Sequence, residues 1–169
     1  MPLTGAAKDL VEYRLMAALR PTLEGHDVKW LRRAEGDKPI TWLMAACILG
    51  DVAAVRSLVT DCGHNVNQRT QGMGVTALIV AASEGQADCL KSLIELGGEV
   101  TLKDGYGRGP AQRAAKNGHT ACMALLKDNG CHMDTFDLFG VTPSDWAVLQ
   151  RYGAAAPETS HQPVPWWHP

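Results

Sequence analysis

Excess charge of either sign is missing from this sequence. Sixteen Lys and Arg stand against 18 Asp and Glu, a formal net charge of −2 at pH 7. A surface built to neutralise phosphates carries a clear positive excess, so nucleic acid is not an expected partner. No apolar run is long enough to cross a bilayer, and no basic start with an apolar core behind it marks a secretory signal. The five cysteines are odd in number and lack the spacing of a secreted disulfide framework. A reducing compartment, cytoplasm or nucleus, is therefore expected. A phosphate loop is also missing. Gly105-x-Gly107-x-Gly109 precedes a helical stretch, but no Lys-Ser/Thr pair follows, so it reads as a turn.

What the chain does have is a repeat. Gly74-Val-Thr-Ala-Leu-Ile-Val-Ala-Ala-Ser-Glu-Gly85 returns one period later as Gly107-Arg-Gly-Pro-Ala-Gln-Arg-Ala-Ala-Lys-Asn-Gly118. Thr41-Trp-Leu-Met-Ala-Ala-Cys-Ile-Leu-Gly50 precedes these copies and Gly140-Val-Thr-Pro-Ser-Asp-Trp-Ala147 follows them. Thr41, Thr76, Gly109 and Thr142 are equivalent and almost evenly spaced. A fixed period of about 33 residues marks a stacked repeat, in which each unit buries its apolar face against its neighbours.

The local chemistry is that of paired helices. Thr41, Thr76 and Thr142 stand where an N-cap hydroxyl accepts from a first-turn amide. Pro110 and Pro143 fall at the next position, where a missing amide proton costs nothing. Ala46-Cys47, Ala81-Ala82 and Ala114-Ala115 let a neighbouring helix approach closely. Gly50, Gly85 and Gly118 close the helix at a position suited to left-handed backbone. A second helix follows, carrying Val55, Leu58 and Val59, then Leu90, Leu93 and Ile94, then Met123, Leu125 and Leu126.

This pattern resembles the ankyrin repeat, Gly-x-Thr-Pro-Leu-His-x-Ala-Ala-x-x-Gly-His, over roughly residues 37 to 153. The resemblance implies an all-α repeat, an ankyrin-repeat solenoid of stacked helix-turn-helix units with hairpin fingers. The motif's central His is replaced by Met44, Ile79, Gln112 and Asp145, so its bond to the threonine is expected to be absent. The units fall at about 37–70, 71–103, 104–136 and a partial 137–153. Residues 1–36 read as an N-terminal helical cap, or as a degenerate repeat without its hairpin. In it Val11, Leu15, Ala18 and Leu19 line one face of a helix from Lys8 to Arg20, Pro21 and Gly25-His26 interrupt, and a short helix follows to Gly36. Between repeats lie Gly, Asn and Asp-rich stretches, with Val66, Val100 and Met133 equivalent and directed inward. Residues 154–169 form a Pro/Trp-rich tail of disordered or polyproline-like composition.

Cys62-x-His64 and Cys131-His132 have the residue types of metal ligands. His64 and Cys131, however, hold one register position two repeats apart. Helix layers stack at about 8–10 Å, which separates them by roughly 20 Å. Zinc needs all its ligands within about 2–2.3 Å of one ion. No register position brings a Cys, a His and a carboxylate together for nucleophilic catalysis. Cys89 and Cys122 fall where the family places a buried valine, a site for a small hydrophobe. No cofactor, no metal and no enzymatic activity are therefore expected. The readings set against this are a metal-dependent regulator or enzyme using the Cys and His residues, and an obligate structural subunit of a complex.

The surface remains. In the family the resemblance names, partners bind at finger tips and the adjoining face of the first helices. Carried over, this gives Met73, Val75 and Glu84; Lys103, Tyr106, Arg108, Lys116 and Asn117; and Phe136, Leu138 and Phe139. Glu84 and Asn117 taken alone read better as solvated. The third finger differs, because three large apolar groups sit where turn chemistry requires none. Trp166 and Trp167 in the tail either cover the last repeat or dock into another protein. The resulting expectation is a protein-interaction module (adaptor, scaffold or inhibitor), monomeric when free, with no nucleic-acid or membrane partner.

Overall fold

The computed structural model describes residues 5–24 and 41–151. Within them lie eight helices: α1 (Ala6–Glu24), α2 (Trp42–Leu49), α3 (Val52–Thr60), α4 (Ala77–Glu84), α5 (Ala87–Glu95), α6 (Pro110–Lys116), α7 (Thr120–Asp128) and α8 (Pro143–Arg151). No strand occurs among the described residues.

The helix starts follow from the repeated cap position. Thr41 is extended, and its Oγ1 accepts from the Met44 amide at 3.2 Å. Thr76 does the same for the Ile79 amide at 3.3 Å. Gly109 has no hydroxyl, and there the side chain of Gln112 reaches back, its Oε1 accepting from the Gly109 amide at 3.0 Å. At α8 the capping is reciprocal. Asp145 Oδ2 accepts from the Thr142 amide at 3.0 Å and from the Thr142 hydroxyl at 2.8 Å, while Thr142 Oγ1 accepts from the Asp145 amide at 3.1 Å. The expected loss of the bond to the threonine is thus corrected in the fourth copy. Asp145 makes it, because a carboxylate one turn into the helix reaches the cap as well as an imidazole does.

The first helix of each full repeat closes at a left-handed glycine, Gly50, Gly85 or Gly118. At Gly85 the need is double. Its φ is +76°, and a Cβ there would lie 2.6 Å from His119 Nδ1. Helices α2, α4, α6 and α8 then pack side by side in one row, and α3, α5 and α7 in a second row behind it. Ala46, Cys47, Ala81, Ala82, Ala114 and Ala115 are fully buried between layers. From the second row come Val55, Leu58, Leu90, Leu93 and Leu126, all fully buried, with Val59, Ile94, Met123 and Leu125 partly so. Val66, Val100 and Met133 pack against the same core.

Polar bonds tie each layer to the next. Gln86 Nε2 donates to Ile48 O at 3.4 Å, and Asn117 Nδ2 and His119 Nε2 donate to Ser83 O at 2.7 and 2.9 Å. Gln150 Nε2 donates to Lys116 O in the same manner. Helix-end carbonyls that would otherwise lack partners are thereby satisfied from the following repeat.

At the N-terminal end α1 packs on α2, with Leu15 against the core and the carboxylate of Glu12 3.2 Å from His64 Nε2. This helix does not stop at Pro21 but continues to Glu24. A proline in the last turn removes one backbone bond and leaves the bonds of the preceding turns in place. The short helix expected to end at Gly36 and the tail from residue 154 lie outside the described residues.

Candidate functional site

Asp104 and Asp137 organise the second and third fingers from the same register position, one repeat apart. Each finger is closed by a backbone pair: the Asp104 amide donates to Arg108 O at 2.9 Å, and the Asp137 amide to Val141 O at 3.1 Å. Each carboxylate then takes up the turn's amides. Asp104 Oδ1 accepts from Tyr106 and Arg108, both at 2.9 Å, and Asp137 Oδ1 from Phe139 at 2.9 Å and Val141 at 3.0 Å. The second oxygens bind guanidinium groups, Arg113 on Asp104 and Arg108 Nε on Asp137 at 3.3 Å. Both carboxylates are wholly buried. In the first finger Thr70 stands in, its amide donating to Val75 O and its hydroxyl accepting from the Val75 amide.

The fingers are also joined to one another. The Gly105 amide donates to Met73 O at 2.7 Å, and the Leu138 amide to Tyr106 O at 3.0 Å. Arg69 donates to Lys103 O at 2.7 Å and Lys103 Nζ to Phe136 O at 3.4 Å. Arg108 is gripped between rings, its guanidinium carbon 5.5 Å from the Tyr106 centroid and 4.9 Å from that of Phe139. The two rings are 6.3 Å apart and tilted. Their outer surfaces face solvent: Tyr106 is 44% exposed, Phe136 65%, Leu138 71% and Phe139 55%. Such a cluster on a braced turn has the composition of an interface centre, with aromatics and an arginine.

Of the residues expected at the surface, Val75 is a correction. It is wholly buried, because it closes the first finger and its side chain faces the core. Met73 packs partly against that core. Asn117 is exposed but its amide is engaged with Ser83 O. Lys116 lies with Nζ 5.2 Å from the centre of the Trp146 ring. Burial pushes its pKa down, and the nearby Arg108 and Arg113 push the same way, against Asp137. Glu84 is half-buried near the end of α4. The structure brings Lys103, Tyr106, Arg108, Phe136, Leu138 and Phe139 together on two adjacent fingers. Trp166 and Trp167 lie outside the described residues. The buried aspartates and Arg113 were not anticipated, although the recurrence of Asp before a finger turn, one period later, was visible in the sequence.

The remaining chemistry is quiet. A cleft beside the fingers is lined by Val100, Lys103, Gln112, Cys131, His132 and Thr135. Cys131 Sγ sits 3.5 Å from Val100 O, and burial raises its thiol pKa. The other thiols are raised too, mainly by burial, Cys89 to about 11. All five cysteines are free, and Cys89 and Cys122 are buried as small hydrophobes. Among the described residues no three His, Cys, Asp or Glu side chains gather to hold a metal, and no helix is long and apolar enough to cross a membrane.

Similarity to known proteins follows the same lines. The chain is 40% identical over 87 residues to protein phosphatase 1 regulatory subunit 12A of Mus musculus, 52% of this chain and 8% of that protein. It is 30% identical over 92 residues to ankyrin repeat domain-containing protein 37 of Xenopus tropicalis, 54% of this chain and 56% of that one. The ankyrin repeat protein nuc-2 of Neurospora crassa matches at 35% over 101 residues, 60% of this chain and 9% of that protein. The chain thus spans little more than half of the Xenopus relative and a small part of the others. A model of three ankyrin repeats matches residues 11–104. With its capped helix pairs, stacked rows and bonded fingers, the chain belongs to the ankyrin repeat family.

Proposed function

We propose that this chain is a protein-interaction module, an adaptor, scaffold or inhibitor that binds a partner protein through finger tips and the adjoining face of the first helices. The observation that carries this reading is the exposed group Tyr106, Phe136, Leu138 and Phe139, held on two fingers braced by buried aspartates. A monomer gains nothing from leaving such a cluster in water, whereas an interface buries it. Because the fingers are hydrogen-bonded to one another, little conformational entropy is lost when a partner docks. Lys103 and Arg108 add positive charge at the rim, which steers the encounter. That a relative is named a regulatory subunit fits a chain acting by contact rather than by chemistry. The free chain is monomeric and works in the cytoplasm or nucleus, where its five free thiols stay reduced.

Affinity capture from the source cell with the full chain, compared with Leu138→Ala and Phe139→Ala, tests the reading. A central anchor loses about 2 kcal/mol or more on truncation, so partners should be depleted some thirtyfold. Equal capture by both variants would remove the fingers from the binding surface.

A further inference from the structure

One copy of the repeat gives up its threonine. Gly109 stands where Thr41, Thr76 and Thr142 stand in the others. Its backbone, at φ −92° and ψ −175°, is close to the extended form of Thr76 at φ −111° and ψ 162°, so conformation does not call for glycine. What glycine provides is room. A Cβ on Gly109 would lie 3.3 Å from Gln112 Oε1 and 3.7 Å from Lys103 Cγ, and both residues line the cleft beside the fingers. That cleft holds about 140 Å³. Its wall is apolar because the polar groups in it are already bonded. Gln112 Nε2 donates to Thr135 O at 2.8 Å and to Thr135 Oγ1 at 3.1 Å, Gln112 Oε1 accepts from the Gly109 amide, and the Cys131 thiol donates to Val100 O at 3.5 Å. Lys103 brings a positive charge, its Nζ donating to Phe136 O at 3.4 Å and so standing between the cleft and the exposed Phe136 ring. Arg69 places a second cation alongside, donating to Lys103 O at 2.7 Å.

We propose that this cleft is a subsite of the interaction surface and takes a phenylalanine-sized apolar side chain of the partner, with an acidic residue next to it in the partner's chain paired to Lys103. It rests on the reading above and adds the chemistry of the partner. Size points to a ring, since an apolar cavity of about 150 Å³ in a protein interior holds benzene. Charge points to the acid. A basic neighbour would meet Lys103 and Arg69 with like charge, whereas a carboxylate meets them with the opposite one. Position joins the cleft to the exposed cluster, because Phe136 directly follows Thr135 of the wall. The bonds that consume the polar groups of the wall also hold its side chains in place, so an entering ring meets a preformed surface and little ordering opposes it.

Titration of the full chain with the blocked peptide acetyl-Glu-Phe-Glu-amide, followed in ¹H–¹⁵N spectra to about 5 mM, tests it. The Val100, Lys103, Gln112 and Cys131 resonances should move. Acetyl-Glu-Ala-Glu-amide should bind about tenfold more weakly and acetyl-Gln-Phe-Gln-amide about threefold more weakly. Gly109→Thr restores the residue of the other copies on a backbone that accepts it, and should weaken the first peptide about tenfold by filling the cleft. Should that variant misfold, the folded protein alkylated at Cys131 with N-ethylmaleimide blocks the same space and should show the same loss. Shifts outside the cleft, no shift at all, or equal binding of the alanine or glutamine peptide would overturn the proposal. Partner capture separates the two readings. If Leu138→Ala and Phe139→Ala lose the partner while Gly109→Thr keeps it, the cleft fails and the interaction surface stands; if all three capture equally, the surface itself fails.

Discussion

A fully buried carboxylate is tolerable only when its lone pairs are used, and Asp104 uses them on two turn amides and Arg113. Asp104→Ala takes the acceptor away from both turn amides and the counter-charge from a buried guanidinium. It should lower unfolding free energy by about 3 kcal/mol or more, measured by urea denaturation. Asp145 works at the opposite extreme of exposure. The Thr142 amide, and then its hydroxyl, hold the Asp145 pKa below the ordinary 3.8. A depressed folded pKa contributes stability that is present above 3.8 and lost as pH falls through the folded value. Thr142→Ala should therefore cost about 1 kcal/mol near neutral pH and flatten the melting-temperature profile below about pH 4, which a pH series of thermal melts would record. The thiols make a third case. Cys47, Cys62, Cys89 and Cys122 are buried and Cys131 only half so, and burial raises all of them. Mass spectrometry after alkylation of the native protein should find Cys131 labelled first, with the others reacting after unfolding.

Helices and fingers of this chain answer to different constraints. In α2 the residues Leu43 to Ile48 are all buried, and in α4 Ala77 to Ser83 are, because each is enclosed by helices of its own and neighbouring repeats. A helix apolar all round has no face to read, so periodicity was uninformative there and the Thr and Gly punctuation carried the assignment. The rear helices are two-faced, and the periodicity of Leu90 and Leu93 in α5 was legible. Ala82→Leu forces a large side chain between two layers and should lower stability by about 1–3 kcal/mol in thermal melts, since Ala82 is wholly buried. Finger substitutions should behave oppositely. Leu138→Ser and Phe139→Ala remove side chains that face water and should change stability by no more than about 0.5 kcal/mol while weakening partner capture. An early melt of either would place those side chains in the core and end the interface reading.

Over the whole molecule, stability comes from coupling between layers, since each repeat buries its apolar face only on its neighbours. Asn117 and His119 join the third repeat to the second through Ser83 O. The double variant Asn117→Ala/His119→Ala should split this unit, giving a shallower urea transition and fluorescence and circular-dichroism midpoints that no longer coincide. One coincident transition with an unchanged slope would show that apolar packing alone carries the coupling.

The sequence alone determined the repeat, its register, and where the first helix of each full repeat begins and ends. Those features depend on groups close together along the chain, such as Thr41 with the Met44 amide. Cys89 and Cys122 were legible as core for the same reason, since register repeats their position. Only the tertiary structure decided which finger residues face outward. Val75 and Leu138 both lie in turns rich in polar residues, yet one closes its finger against the core and the other stands in water. That difference depends on bonds between fingers a full repeat apart, Leu138 to Tyr106 and Arg108 to Asp137, which no local pattern encodes. The grip of Tyr106 and Phe139 on Arg108 is likewise a product of stacking, because the rings become neighbours only when one repeat is laid on the next.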